Sequence, residues 1–271
     1  MKLSISNIAW NNGYEQDEIF GVLRERRVRG VEVAPTKLWP DWVGAEASAA
    51  RSARKLLSDA GFQVPALQAI LYGKPELEVF AANDLVRKTL AHIEMVAAIA
   101  QGLGARVLVF GSPKNRNRGT LSDQRVRECA LDFFRTAGDA CAKHGTCLGL
   151  EPNPEEYGCN FVTHWYEAAE LVDAIAHPGV GLHLDTACIR LAGDDPADAV
   201  RSCAGKIAHF HISEPQLSHF TSPEVDHRAV GRALEETGYT GWVSIEMRRQ
   251  EPAVEQVADA VDLIRDWYPV N

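Results

Sequence analysis

Four residues whose side chains commonly bind metal ions stand at the ends of four successive β-branched runs. They are Glu151 in EPNP, Asp185 in HLDT, His211 in HFHISE and Glu246 in SIEM. Three carboxylates and one imidazole suit a divalent cation such as Mn²⁺, Mg²⁺ or Co²⁺, whereas Zn²⁺ usually prefers more nitrogen or sulfur ligands. The spacing therefore predicts a site for one divalent metal ion, with Mn²⁺ favoured and Mg²⁺, Co²⁺ or Zn²⁺ as alternatives.

Alternation along the strands places further histidines beneath these ligands. Side chains two residues apart share a face of a strand, so His183 should point the same way as Asp185, and His209 the same way as His211. We expect His183 and His209 to lie one layer below the rim. His183 is a candidate substrate-binding residue, whereas His209 is expected to support the ligands from behind.

Three other polar residues occupy predicted strand ends. Glu32 ends the second strand and is expected either to support the ligands from behind or to be a solvated charge. Glu214 follows the seventh strand and is a substrate-binding candidate, although it could instead orient His211. Gln68, on the third strand, is another substrate-binding candidate.

The loops beyond the strands offer two more candidates for substrate binding. The segment 112–118, SPKNRNR, is the most basic part of the predicted rim. Its Lys114 lies nearest the strand, so we expect it to reach inward toward a phosphate or carboxylate, the alternative being a solvated loop. Trp10 follows the first strand and could stack on a sugar ring, the alternative being packing within the loop.

The segments that must position these residues alternate between strand and helix patterns. Eight strands are predicted at 3–9, 30–35, 64–71, 106–113, 147–154, 180–188, 207–215 and 242–247. Apolar residues spaced three and four apart predict amphipathic helices between them. Because there are eight such strands, and the first turn has no G-x-G-x-x-G motif, we expect a closed (β/α)8 TIM barrel, a single domain over 1–271, rather than an open doubly wound sheet.

The composition of the chain limits the kinds of molecule that we expect it to bind and the compartment that we expect it to occupy. The net charge of −9 argues against nucleic acid, which usually meets a basic face. The six cysteines show neither C-x-x-C pairs nor framework spacing, as is typical of a cytoplasmic protein with reduced thiols. No signal peptide and no apolar run of about 18 residues is present, so no membrane association is expected.

The same motifs resemble those of a known family. The sequence resembles the xylose-isomerase-like barrels, the sugar phosphate isomerase/epimerase superfamily, over essentially the whole chain. The strand-end Glu151, HLDT, H-x-H-x-x-E and S-I-E look like the metal set of the ketose 3-epimerases. The resemblance implies that Glu151 and Glu246 bind metal and also exchange a proton with substrate carbon from opposite faces. It further implies a small sugar substrate and a homodimer or homotetramer.

Three positions depart from the ketose 3-epimerase pattern. Cys188 replaces a histidine, Tyr157 replaces a glutamate and Leu217 replaces an arginine. The superfamily also contains metal-dependent dehydratases and an abasic-site endonuclease branch. That branch needs extra histidines on early strands, where this chain has Gln68 and Phe110, so a nuclease is not expected.

Together these features predict a metal-dependent sugar isomerase or epimerase that abstracts a proton next to a carbonyl. Glu246 or Glu151 would be the base, and the ion would stabilise the resulting enediolate. Returning the proton gives an epimer or an isomer, whereas losing a β-leaving group gives an elimination product. A metal-dependent lyase or dehydratase acting on a keto-sugar or keto-glycoside is therefore the alternative, followed by a sugar-binding barrel without turnover.

Overall fold

The computed structural model describes all residues from 1 to 271. Eight parallel strands form one sheet in the order β2-β1-β8-β7-β6-β5-β4-β3. The strands are β1 (Lys2–Ser6), β2 (Gly30–Glu32), β3 (Ala66–Leu67), β4 (Val107–Phe110), β5 (Cys147–Leu150), β6 (Val180–Asp185), β7 (Ile207–Ser213) and β8 (Trp242–Glu246).

Ten α-helices surround the strands, and none combines the length and apolar character required to cross a membrane. They are α1 (Tyr14–Glu25), α2 (Pro35–Leu38), α3 (Ala47–Asp59), α4 (Asn83–Leu103), α5 (Asp123–Lys143), α6 (Trp165–Ile175), α7 (Thr186–Leu191), α8 (Pro196–Ser202), α9 (His227–Glu236) and α10 (Ala253–Trp267).

Hydrogen bonds between β2 and the segment around β3 bring the two ends of the sheet together. Val31 donates to the carbonyl of Gln63 at 2.9 Å, and Val33 donates to that of Ala66 at 3.2 Å. Gln68 donates back to the carbonyl of Val33 at 3.0 Å. The predicted eight-stranded barrel is therefore confirmed, and the open sheet is excluded.

The predicted strands run too far at their C-terminal ends. Four of them, 106–113, 147–154, 180–188 and 207–215, end in the structure at Phe110, Leu150, Asp185 and Ser213. Pro113 and Pro215 lack the N–H that a strand ladder needs, and each begins a short 3-10 helix. Consequently, several polar rim residues lie on tight turns, where strand alternation no longer fixes their direction.

The helices pack as their apolar spacing predicts. On α5, the stripe from Val126 through Phe133 to Cys141 is buried against the barrel. On α10, Val257, Val261 and Ile264 are similarly buried. These faces join one continuous hydrophobic core that encloses the strands and fixes the barrel on which the rim residues stand.

Pairing between β6 and β7 aligns the histidines in two layers. His183 lies opposite His209, and Asp185 lies opposite His211, above a register shift beside Leu182. The pairing confirms the predicted alternation, with His183 and His209 one layer below Asp185 and His211. A polar layer therefore supports the rim from inside the barrel.

Candidate metal centre

The four predicted ligands converge around one atom, Nδ1 of His211. This nitrogen lies 3.2 Å from Oε2 of Glu246, 3.8 Å from Oδ2 of Asp185 and 3.9 Å from Oε1 of Glu151. Nδ1 is buried and makes no hydrogen bond. One imidazole nitrogen and three carboxylates thus face a common point at the C-terminal mouth of the barrel.

The electrostatics of this cluster suit a divalent cation. Burial, followed by the charges of Glu151 and Glu246, raises the pKa of Asp185 to about 7. Burial contributes most to this shift, and repulsion from the two other carboxylates adds to it. A cation at the common point would be attracted to all three, so this residue set fits a divalent metal ion.

Glu32 supports both histidines of β7 from below. It is fully buried, and its two oxygens accept from Nε2 of His211 at 2.9 Å and Nε2 of His209 at 3.1 Å. Burial alone would raise the pKa of Glu32, but the two histidines hold it well below its ordinary value. Because an ionised carboxylate only accepts, it places a proton on Nε2 of His211 and leaves Nδ1 for a metal.

Asp185 is held by its own strand end and by β7. Its Oδ1 accepts from the backbone N–H of Cys188 at 2.7 Å and so caps α7. Its Oδ2 accepts from the hydroxyl of Ser213, also at 2.7 Å. These two donors fix the direction of the carboxylate while leaving Oδ2 facing His211.

Glu151 is held by residues to which the sequence analysis gave no role. The side-chain amide of Asn153 donates to Oε2 of Glu151 at 3.0 Å. A Cβ atom at position 111 would lie 2.1 Å from the same oxygen, so only glycine leaves room for the carboxylate. Gly111 follows β4 and Asn153 lies two residues beyond Glu151, a spacing that could have identified Asn153 as a neighbour.

His183 lies beside Glu151 as a buried neutral imidazole. Its Nε2 is 3.4 Å from Oε1 of Glu151, and neither ring nitrogen makes a hydrogen bond. Burial, followed by the charge of His211, lowers the pKa of His183 to about 4, so the ring is uncharged at neutral pH. His183 thus forms part of the wall below the carboxylates, in contact range of Glu151.

A cavity of about 310 Å³ opens over the cluster. This volume lies at the small end of the range for small-molecule sites. Its lining comprises Glu151, Asn153, Tyr157, Asp185, Ala187, Cys188, Gln216, Leu217 and Glu246. Burial raises the pKa of the thiol of Cys188 and that of the hydroxyl of Tyr157, so both stay protonated.

The structure gives Glu214 a different place from the one expected. Glu214 is buried, and its carboxylate accepts from Nε2 of His227 at 2.7 Å and from the backbone N–H of Glu224 at 2.8 Å. Nδ1 of His227 in turn lies 2.8 Å from the hydroxyl of Tyr268. Glu214 therefore ties the loop after β7 to α9 and the C-terminal segment, and it neither lines the cavity nor hydrogen-bonds His211.

Lys114 does not reach inward as expected. It is exposed, whereas Arg116, two residues later, is fully buried and donates from Nη2 to Oδ1 of Asn153 at 2.8 Å. Residues three apart share a face of a 3-10 helix, so the Pro113–Arg116 turn directs Arg116 to the side of Pro113 and Lys114 away from it.

Trp10 and Gln68 also lie outside the cavity lining. Trp10 is fully buried, with its ring edge-to-face against Phe20 at 6.3 Å, so it packs in the core beneath the rim. Gln68 is buried and donates to the hydroxyl of Ser6 at the end of β1. The structure thus shows packing and hydrogen-bonding partners for both residues within the protein.

Comparison with known proteins identifies the family. Residues 21–267 match the family described as the xylose isomerase-like TIM barrel. The chain belongs to this family. The resemblance expected from the strand-end motifs is therefore confirmed, and the centre described above lies at the C-terminal mouth where such barrels hold their active sites.

Individual relatives of this xylose isomerase-like barrel include sugar epimerases. The chain is 25% identical over 196 residues to a probable ketose 3-epimerase of Synechocystis sp.. The aligned part covers 70% of this chain and 66% of the relative, so the chain spans slightly less than two thirds of that relative's length. Among solved structures, 3-keto-D-glucoside 4-epimerase from E. coli aligns with a TM-score of 0.78 and 17% identity, over 98% of this chain and 99% of that one. A probable 3-DHS dehydratase of Bacillus anthracis aligns with a TM-score of 0.72 and 17% identity, over 98% and 99%. At these identities the two structures show a shared fold.

Gly111→Ala tests whether metal binding needs the space beside Gly111 that accommodates the carboxylate of Glu151. The added methyl group would displace Oε2 of Glu151, and we expect Mn²⁺ affinity to fall by about 10–100-fold, the effect typical of disturbing a ligand's support. Isothermal titration with Mn²⁺ measures this. Gly21→Ala in α1 is the control because its Cβ would meet nothing within 4 Å. Parental affinity in Gly111→Ala would contradict the assignment of Glu151 as a ligand.

Glu214→Ala tests the structural role of that carboxylate. Without the carboxylate, the buried donors of His227 and of the loop backbone lose their acceptor, which costs about 1–3 kcal/mol for each donor, and each kcal/mol lowers Tm by about 2–4 °C in a chain of this size. We therefore expect a lower Tm with Mn²⁺ affinity retained in the folded protein. Glu235→Ala, at an exposed position on α9, should melt like the parent. Lost Mn²⁺ affinity at unchanged Tm would instead place Glu214 in the metal centre.

Proposed function

We propose that this protein is a divalent-metal-dependent isomerase or epimerase of a sugar or sugar derivative. The observation that carries the proposal is the placement of Glu151 and Glu246. Glu151 directly follows β5 and Glu246 ends β8, with β6 and β7 between these strands in the sheet, and both residues line the same cavity. A substrate held between them would have one carboxylate on each side, as proton exchange at two faces of one carbon requires.

The chain's own residues supply the parts of such a reaction. A bound divalent ion would supply Lewis-acid polarisation of a substrate carbonyl and stabilise the negative charge that develops on its oxygen. Glu246 makes no hydrogen bond to a protein donor, so its carboxylate is free to take the proton from the carbon next to the carbonyl. Glu151 lies across the cavity and would return a proton from the other face, giving an epimer.

Glu32 and His183 would set the conditions for these proton transfers. Glu32 keeps the proton of His211 on Nε2, so His211 stays oriented toward the common point throughout. His183 is neutral and cannot form a tight ion pair with Glu151, which leaves that carboxylate available for chemistry. The protein would thus hold its two bases ready without neutralising them.

The cavity favours an uncharged sugar moiety near the metal. Its lining includes three carboxylates and no lysine or arginine. A phosphate or carboxylate group there would meet negative charge without a compensating cation from the protein. We therefore propose that the reacting part of the substrate is an unphosphorylated keto-sugar, whether free or part of a glycoside.

A metal-dependent lyase is the second candidate, and Tyr157 is the observation that favours it. The Tyr157 hydroxyl accepts from the backbone N–H of Gln216 at 3.1 Å, and its own proton stays on because burial raises its pKa. That hydroxyl lines the cavity and could protonate a leaving group β to the carbonyl. Elimination would then compete with epimerisation from the same enediolate.

Solvent deuterium incorporation tests the proposal and separates these outcomes. Mn²⁺-loaded protein is incubated in D₂O with ketoses, sugar phosphates and 3-keto glycosides, and the products are followed by NMR. Deuterium at one carbon with an epimeric or isomeric product supports the proposal, whereas an unsaturated product supports the lyase. If metal-loaded protein binds a sugar without exchanging any C–H proton, the barrel is a binder rather than an enzyme.

Glu246→Gln then tests the proposed base. The amide cannot accept the substrate proton, so we expect deuterium incorporation to fall by about 10²–10⁴-fold while sugar binding is largely retained. Glu235→Gln, an exposed change on α9, should exchange at the parental rate. Parental exchange in Glu246→Gln would remove Glu246 from the chemistry.

A further inference from the structure

Arg116 is a buried cation whose side chain makes a single hydrogen bond. Its side chain is fully buried, and Nη2 donates to Oδ1 of Asn153 at 2.8 Å. Its Nε and Nη1 are buried as well and have no partner. Burying a guanidinium for one hydrogen bond to a neutral amide is unfavourable for stability, so a purely structural reason for Arg116 is weak.

That single hydrogen bond determines which way the amide of Asn153 faces. A guanidinium can only donate, so it requires the oxygen of Asn153 on its side. The NH₂ group is then directed to the opposite side, where it donates to Oε2 of Glu151 at 3.0 Å. With the amide reversed, an oxygen of Asn153 would face an oxygen of Glu151 and repel it.

The hydrogen bond from Asn153 in turn fixes the carboxylate of Glu151. Oε2 is held between Asn153 and the open space at Gly111, so the other oxygen, Oε1, is the one that faces His211 at 3.9 Å. A ligand that is fixed before the ion arrives loses less conformational freedom on binding than a mobile one. The orientation of Glu151 therefore depends on a chain of two contacts that begins at Arg116.

We propose that Arg116 and Asn153 are positioning residues that orient Glu151 for the divalent cation. The inference rests on the proposed function, since it assumes that Glu151 is a metal ligand. Arg116 acts only through Asn153: it does not line the cavity, whereas Asn153 lies at its wall. The basic loop after β4 thus contributes to the centre through its buried arginine.

A double-mutant cycle read out by Mn²⁺ binding tests this. Arg116→Met removes the donor to Asn153; because losing a nearby positive charge would by itself favour a bound cation, weaker Mn²⁺ binding reports the lost orientation of Asn153. Asn153→Ala removes the donor to Glu151 directly. We expect each to weaken Mn²⁺ binding by about 10–100-fold, with the double variant no weaker than Asn153→Ala alone because the two residues act in series.

Controls separate positioning from folding. Arg118→Lys, on the same loop and paired with Asp123, should bind Mn²⁺ like the parent. Thermal melting establishes that each variant is folded, and Asn153→Ser, which keeps an acceptor for Arg116 but is too short to reach Glu151, replaces Asn153→Ala if that variant does not fold.

The outcomes distinguish this inference from the proposed function. Parental Mn²⁺ affinity in folded Arg116→Met, or additive effects in the double variant, would overturn the positioning role. Failure of the parent itself to bind Mn²⁺ would overturn the proposed metal centre, and the positioning role with it.

Discussion

The arrangement of the barrel mouth depends on negative charge gathered where water is scarce. Glu32, Glu151 and Asp185 are buried, and Glu246 completes the cluster around His211. Carboxylates at such distances destabilise one another unless a donor or a cation lies between them. Much of the local structure supplies those donors: Ser213 and the N-terminus of α7 for Asp185, Asn153 for Glu151, and two imidazoles for Glu32. Nδ1 of His211, at the centre of the cluster, has no hydrogen-bond partner in the protein.

Two contacts made by the strands leave Nδ1 of His211 without a partner and place a carboxylate beside it. Glu32 occupies Nε2 of His211 and of His209, so the upper imidazole can offer only Nδ1 to the mouth. The pairing of β6 with β7 places Asp185 directly opposite His211, which brings a carboxylate to that nitrogen. Since both constraints are built into the strands, the barrel itself fixes His211 and Asp185.

Sequence reasoning succeeded where strand geometry controls direction and was incomplete where it does not. The two histidine layers follow from alternation, because a side chain on a strand can point to only two faces. Lys114 and Glu214 lie beyond the ladder, where a 3-10 turn and a contact with His227 decide their direction. The partner of Glu214 is thirteen residues away, and neither its identity nor its distance is visible in a strand pattern. For the same reason the roles of Gly111 and Arg116 emerge only from the folded chain.

The two proposed bases are held so differently that their contributions to the reaction should differ. Oε2 of Glu151 is fixed by Asn153 and seated against Gly111, whereas Glu246 makes no hydrogen bond to a protein donor. A carboxylate that the protein fixes can exchange a proton only with a substrate atom that is brought to it, while one that fewer protein contacts hold has more room to adjust to the reacting carbon. On the Glu151 side of the cavity, Cys188 and Tyr157 stand in place of the histidine and glutamate expected from the ketose 3-epimerase pattern. In the proposed reaction, the shape of this wall would decide which substrate carbon reaches Glu151. A barrel with the same metal ligands can thus act on a different sugar by changing the wall next to its less mobile base.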